Sequence, residues 1–541
     1  MKGVMKKYIA IAASLLTLVS CNAWLTEDGP MVNRVSDFFT TAETATQVVT
    51  AVYAPLMWEY QNGYFPEWYF GDIASDDALK GGQNVADGPD LYDIDNFKVV
   101  ANNGIVLQFY RAQYQGIARA NLAIEQIPEM ALDESFTSDL RARLEGEARF
   151  LRAYYYFRLV RMFGGVPLET KPVYSSGDWI QPRASVEDVY ALIFADLEFA
   201  EGVLPRKSAY PAADLGRATS GAAQAMLLKT NLYFAQWNAN NGKTSDAATY
   251  FNKAKTWGNK FLTDQAGEYS LCADYADNFT LEGENGPESI FEIQYMEDAM
   301  SDYGEGNGFS RGTFTIILTR SRGSEFGESG WGFNHPTQSL YDEFESGDPR
   351  RDETIYAPVT ITNESEEVYL GNKFLSRKRA LLDRTTGQYI HLTHDSRGPI
   401  NNQQIRLSDV YLMIAEVAVE LSDLPTAKTY LEKVRARARA MVTTPVPVLP
   451  AFPYGSYSDN QADLRAAIRH ERRVELGMEG HRWFDLCRWG NVKEIMDAYK
   501  AGESAEVKEH IADFTQGKHE LMPIPQEEVK LGQLEQNPNY R

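Results

Sequence analysis

Apolar positions recur at helical spacing through most of this chain. Between residues 140 and 163, Leu144, Ala148, Leu151, Tyr155 and Met162 fall on one stripe, the arrangement that one face of an α-helix imposes. The run Gly164-Gly165-Val166-Pro167 ends that helix sharply. The same logic predicts a helix from a Thr41 or Thr44 cap to about residue 60, and another over 105–127 with Pro128 as its stop. A third spans 186–204, between a Ser185 cap and Pro205. Two helical pairs follow, 219–237 with 246–262 and 407–421 with 426–441. In the second pair Val410, Ile414, Val417 and Leu421 precede the turn Ser422-Asp423-Leu424-Pro425, and Ala427, Leu431 and Val434 follow it. Such a unit of about 34 residues has tetratricopeptide length. One pair cannot bury its apolar face alone, so pairs must stack. The expected fold class is mainly α, a tetratricopeptide-like helical-repeat scaffold.

The pattern breaks twice. Residues 61–104 are rich in Gly, Asp, Asn and aromatics, and 270–400 mix glycines with short alternating segments at 289–295 and 313–318. Residues 443–460 form a Pro- and Tyr-rich loop. Long irregular stretches in a helical body are functional or disordered, and their aromatic content argues against disorder. Tyr64, Phe65, Trp68, Tyr69, Phe70, Tyr92 and Phe97 crowd the first, among Asp93, Asp95 and Asn96. Tyr295, Tyr303, Phe309, Trp331 and Phe333 mark the second, among Gln294, Asp302, Asn307, Arg311 and Asn334. A sugar ring has an apolar C–H face and a polar rim, so an aromatic floor with a few amide, carboxylate or guanidinium groups suits it. Core packing is the competing use of the same rings. The candidate ligand residues are Trp68, Asp77, Tyr92, Phe97, Asn102, Tyr295, Arg311, Trp331 and Phe333. Trp331, flanked by Gly330 and Gly332, has the least local shielding.

The N-terminus adds an address. Lys2, Lys6 and Lys7 precede an apolar run from Tyr8 to Val19, and then comes Leu18-Val19-Ser20-Cys21. The run is short for a membrane span and reads as a signal peptide. Small or aliphatic residues ahead of a cysteine are the lipoprotein cleavage pattern, which makes Cys21 the lipid attachment point. Two or three acyl chains anchor stably where one would not. The expected organisation is a signal peptide over 1–20, a lipidated tether over 21–40 and one body over 41–541. Within the body the scaffold covers about 41–60, 105–265 and 405–490, and a variable lobe covers about 61–104 and 270–400. Losing three lysines with the signal takes the formal charge from −22 to −25, which disfavours nucleic acid and anionic lipid surfaces. Cys272 and Cys487 then remain, too few for a disulfide framework.

Catalytic signals are weak. His470-Glu471-Arg472-Arg473-Val474 begins like a zinc-protease helix but has valine at the second histidine position. His391 and His394 have no third ligand. Gly304, Gly306 and Gly308 lack dinucleotide-loop spacing, and no nucleophile elbow or Walker loop is present. Glycoside hydrolysis needs two carboxylates flanking one bond. Asp72, Asp76 and Asp77 form the best cluster, although acidic residues are abundant here. No metal, cofactor or enzymatic activity is expected.

The C-terminal block Glu471-Arg-Arg-Val-Glu-Leu-Gly-Met-Glu-Gly-His481-Arg-Trp-Phe-Asp-Leu-Cys-Arg-Trp-Gly490 closely resembles the signature of the SusD/RagB outer-membrane lipoproteins of Bacteroidetes. So do Leu521-Met-Pro-Ile-Pro525 and Gln536-Asn-Pro-Asn-Tyr540. The stretch from Leu151 to Leu168, Gly71-Asp-Ile-Ala-Ser-Asp76 and Gly347-Asp-Pro-Arg350 are similar as well. Cys487 departs from the pattern, where a longer or charged side chain is expected. The 471–490 block reads as a structural latch, with Arg482 and Asp485 spaced to pair. The resemblance implies a helical scaffold facing a partner and a variable, loop-rich lobe carrying the ligand site. It further implies a non-catalytic lipoprotein, facing outward from the outer membrane, that captures oligo- or polysaccharides for a SusC-like TonB-dependent porin. Some family members serve peptide uptake instead.

Overall fold

The computed structural model describes residues 38–59, 66–175, 180–297, 311–323, 326, 329–357, 374–393, 397–442 and 448–540. Cys21, Tyr64, Phe65, Asp302, Tyr303, the Gly304–308 run, Phe309 and His394 lie outside these residues.

Helices of seven or more residues are numbered in order. The first group comprises α1 (Ala42–Tyr53), α2 (Pro89–Asp95), α3 (Gly104–Gln126), α4 (Ser138–Phe163), α5 (Val186–Val203), α6 (Ser220–Asn240) and α7 (Thr244–Asp264). After the second irregular stretch come α8 (Leu407–Glu420), α9 (Leu424–Ala440), α10 (Gln461–Leu476), α11 (Arg482–Trp489), α12 (Val492–Gly502) and α13 (Gln526–Gly532). The caps explain the starts. Thr41 and Thr44 satisfy each other's orphan backbone N–H groups in a capping box, and Thr137, Ser185 and Thr219 each accept from the third residue onward. Consecutive helices from α3 to α7 pack in succession. Then α7 meets α8, which packs on α9 and α10. Stacked antiparallel pairs are how tetratricopeptide-like repeats bury their faces. The α4 stripe understates the burial: nearly every residue from Leu144 to Phe163 is buried, Glu147, Arg152 and Arg158 included. This helix is the centre of the scaffold, enclosed on all sides.

Because α7 packs on α8, the intervening chain leaves the scaffold and returns to the same place. With residues 78–81 from the earlier irregular stretch, it builds three two-stranded antiparallel ribbons. β1 (Ala78–Gly81) pairs β3 (Phe333–Pro336), β2 (Ser289–Ile293) pairs β6 (Asn402–Arg406), and β4 (Ile355–Tyr356) pairs β5 (Leu375–Ser376). The 313–318 segment is no strand: Thr315–Thr319 is a short helix. Alternation over six residues is too short to separate a strand from one helical turn. Among the described residues, no helix is long and apolar enough to cross a membrane.

Buried charge locks lobe to scaffold. Glu475 on α10 takes Arg350 at 2.9 Å and Arg406 at 2.5 Å, and also pairs Arg437. Arg406 continues to Glu288 at 2.8 Å and to Glu479 at 2.9 Å. The expected Arg482–Asp485 pair does not form. Arg482 reaches across the chain to Asp76, 2.7 Å away, while Asp485 pairs Arg472 and Arg488. Helical spacing brings such residues to one face, but deeper partners from other segments compete for them. Cys272 and Cys487 are both free thiols.

Candidate functional site

The lobe's organising group is a carboxylate that composition did not flag. Glu59 follows the apolar turn Ala54–Met57 and is buried. It accepts Thr313 Oγ1 at 2.6 Å, the Phe314 N–H at 2.6 Å, the Thr315 N–H at 3.1 Å and the Tyr295 hydroxyl at 3.0 Å. Burial pushes its carboxyl above the usual range, while these hydrogen bonds pull it back. Trp68 donates its indole N–H to Thr315 Oγ1 at 3.0 Å. Together these contacts set the 313–319 segment from beneath.

Trp331 rests on that segment. Its backbone N–H donates to the Ile317 carbonyl at 2.8 Å, and its ring meets Phe314 edge-on at 5.1 Å. Its own carbonyl accepts Arg322 Nη1 at 3.1 Å, and Arg322 lies 3.6 Å from Asp87. The indole is partly exposed. Gly332 and Gly81 both have positive φ, and a Cβ on Gly81 would stand 2.1 Å from the Gly332 carbonyl oxygen. Only glycine lets β1 and β3 approach this closely beside Trp331.

The nine candidates divide. Trp68, Asp77, Phe97, Tyr295 and Phe333 are buried. Trp68 and Tyr295 buttress the Glu59 node. Phe97 stacks on His519 at 5.3 Å and meets Trp483 and Phe514. Phe333 lies under Lys80 Nζ, 5.2 Å from the ring centroid. Asp77 accepts from Arg473 at 2.7 Å. These five lie in the interior rather than on an open surface, since a loop-rich region must spend most of its rings on its own core. Tyr92, Asn102, Arg311 and Trp331 keep surface. Tyr92 belongs to a separate neighbourhood, with its hydroxyl 3.0 Å from His510 Nδ1 and Lys98 over its ring.

The acidic cluster is equally committed. Asp72 accepts the Gly480 N–H at 2.7 Å, and burial pushes its carboxyl up to about 7. Asp76 is ion-paired to Arg482 and Arg473 at 2.7 and 2.9 Å. Burial opposes its ionisation, but those guanidinium charges bring it down to about 2. The cluster ties its loop to α10 and α11.

Two larger hollows lie elsewhere. One, about 600 Å³, runs between α10 and α12 over α11, with His470 in its wall. His470 Nδ1 is 2.7 Å from Glu343, and Nε2 is 3.5 Å from Glu345. Burial would lower the imidazole, yet bonding and charge from the two carboxylates raise it to about 9. A raised histidine contributes stability that is complete below about pH 6.5 and lost as pH rises through 9. The shift corresponds to about 3 kcal/mol. Urea unfolding at pH 6.5 and 9.5 should show that loss, and His470→Gln should abolish it. An equal decline in the variant would assign the effect to other groups. The other hollow, about 490 Å³, sits between α5–α6 and the α11–α12 region.

Comparison with known proteins adds a whole-chain likeness. Residues 287–540 match the family described as "SusD family", and 26–232 match "Starch-binding associating with outer membrane". SusD-like protein P38 of Formosa agariphila is 27% identical over 524 residues, covering 91% of this chain and 94% of its own. A solved "Laminarin binding SusD-like protein" is 27% identical with a TM-score of 0.75, covering 93% of this chain and 100% of that one. Surface glycan-binding protein A from Bacteroides uniformis is 25% identical, TM-score 0.73, over 92% and 99% of the two chains. The two solved relatives are named as binding proteins.

Proposed function

Because the chain belongs to the SusD-like family, we propose that it is a glycan-binding lipoprotein that captures oligo- or polysaccharide outside the outer membrane. It hands its cargo to a SusC-like TonB-dependent porin and is held at the surface by acyl chains on Cys21. The observation that carries the ligand reading is Trp331. A partly exposed indole, fixed through its backbone and through Phe314, is a preformed platform for the apolar face of a sugar. Arg311, exposed three residues before Phe314, supplies a donor for hydroxyls. Likeness over nearly the full length to a laminarin-binding relative supports the same class of ligand. Binding and hand-over need no bond cleavage, and the Asp76–Asp77 carboxylates are already held by arginines.

Affinity electrophoresis through gels containing laminarin or other neutral polysaccharides tests this. Retardation by at least one glycan is expected. Trp331→Ala should weaken it about tenfold or more, the loss expected when a large apolar contact is removed. No retardation across the panel would overturn the glycan reading and favour peptide uptake.

A further inference from the structure

The hollow of about 490 Å³ has a composition unlike the rest of this acidic surface. Its floor is aromatic: Tyr190, Tyr233 and Phe484 are buried, and Trp237 is partly so. Tyr190 stacks on Phe234 at 4.5 Å, and Phe234 on Trp237 at 5.6 Å, so the floor is a rigid tier of rings. Tyr233 contributes its ring to this tier, while its hydroxyl is shut off from solvent in a residue 4% exposed.

The rim carries charge. Arg161 and Arg488 line the hollow but are matched by Glu67 and by Glu416 and Asp485. Lys493 pairs Asp497 only in a solvent-exposed bridge, 48% and 52% exposed, which holds the ammonium weakly. Lys518 has no carboxylate partner among the described residues and sits over the Tyr540 ring. Glu520, the single acid in the wall, turns its oxygens to the Gly517 N–H at 3.0 and 2.8 Å. The wall therefore carries Lys518 without a carboxylate partner among the described residues and Lys493 in a weak exposed pair, in a chain of formal charge −22.

The hollow also coincides with the one position in the 471–490 block that departs from the family pattern. Cys487 is in its wall. A longer side chain there would occupy the space that the small thiol leaves open.

We propose that this hollow binds an aromatic carboxylate, its ring against Tyr190, Trp237 and Phe484, its anionic group at Lys493 and Lys518. The volume lies within the range of small-molecule sites. The site is separate from Trp331, so its test is independent of glycan capture.

Calorimetry of the full chain with 2-naphthoate, 2-naphthalenemethanol and cyclohexanecarboxylate tests the class. Naphthoate should bind with a dissociation constant on the order of 100 μM, from typical binding energy per atom. The neutral alcohol and the non-aromatic acid should each bind about tenfold more weakly. Bound naphthoate should slow alkylation of Cys487 severalfold while leaving buried Cys272 unchanged. Cys487→Met, an apolar filling of the hollow, should abolish the binding heat. Lys493→Gln, a surface change, should weaken naphthoate and spare the alcohol. No heat and no protection at millimolar naphthoate would overturn the proposal. Equal affinity for the alcohol would overturn its charge component, and equal affinity for the cyclohexane acid its aromatic component. Binding that survives Cys487→Met would overturn the location.

Discussion

Replacing Glu475 by glutamine is expected to lower the unfolding free energy by about 3–5 kcal/mol, the usual cost of leaving buried charge uncompensated. Glu475 is fully enclosed and faces Arg350, Arg406 and Arg437, which come from three different segments. The nearest remaining acids are Glu471 and Asp348 on Arg350, and Glu288 and Glu479 around Arg406 and Arg437. They cannot neutralise three guanidiniums as fully, and an amide brings no charge. Burial disfavours the Glu475 carboxylate, but the three arginines hold its titration far below the ordinary range. A depressed carboxyl contributes stability above its unfolded value near pH 4.5, lost as pH falls towards the folded value. Glu479 and Asp485, both brought to about 2 by cationic neighbours against the cost of burial, add to the same acid loss. Urea unfolding followed by circular dichroism should show a lower midpoint for Glu475→Gln and a shallower acid slope. Glu494→Gln, exposed on α12, should stay within about 0.5 kcal/mol of the parent. Indistinguishable curves for the two variants would refute the role given to Glu475.

Glu59→Ala is expected to cost about 2–4 kcal/mol and to release the 311–319 segment first. It removes an acceptor from the Phe314 and Thr315 N–H groups and from the Thr313 and Tyr295 hydroxyls, and each buried donor left unmade costs about 1–3 kcal/mol before other partners or water relieve part of it. Trp331 stands on this segment through Ile317 and Phe314. Glycan retardation should therefore weaken although every exposed side chain is intact. Hydrogen exchange should accelerate over 311–319 and stay near parental values in α4 and α6. Glu59→Gln, which keeps one acceptor oxygen, should fall between parent and alanine. Acceleration spread evenly over the chain would mean that Glu59 acts only on global stability.

The legibility of this fold differs by element. Helix starts at Thr41, Ser185 and Thr219 were readable because capping is local: side chain and orphan N–H lie within three residues. The α8–α9 unit was readable because its turn and its apolar spacing are contained in one short stretch. Ring density in the irregular stretches located the lobe, yet could not divide its rings between core and surface. Trp68 and Trp331 both looked available, and only the fold turns one towards Thr315 and leaves the other partly exposed. Glu59 carried a faint local signal, a lone acid after an apolar run, but its partners stand more than two hundred residues away.

Local periodicity, capping and family motifs therefore determined the helical class and the stacked-pair scaffold, because each depends on interactions a few residues apart or on whole-motif likeness. The tertiary structure decided which charges pair, with Arg482 taking Asp76 in place of Asp485, and which aromatics stay partly exposed. It also decided that Cys487 opens onto a ring-floored hollow with lysines in its wall. Those outcomes depend on competition among distant groups for the same buried space, and such competition is resolved only when the chain packs.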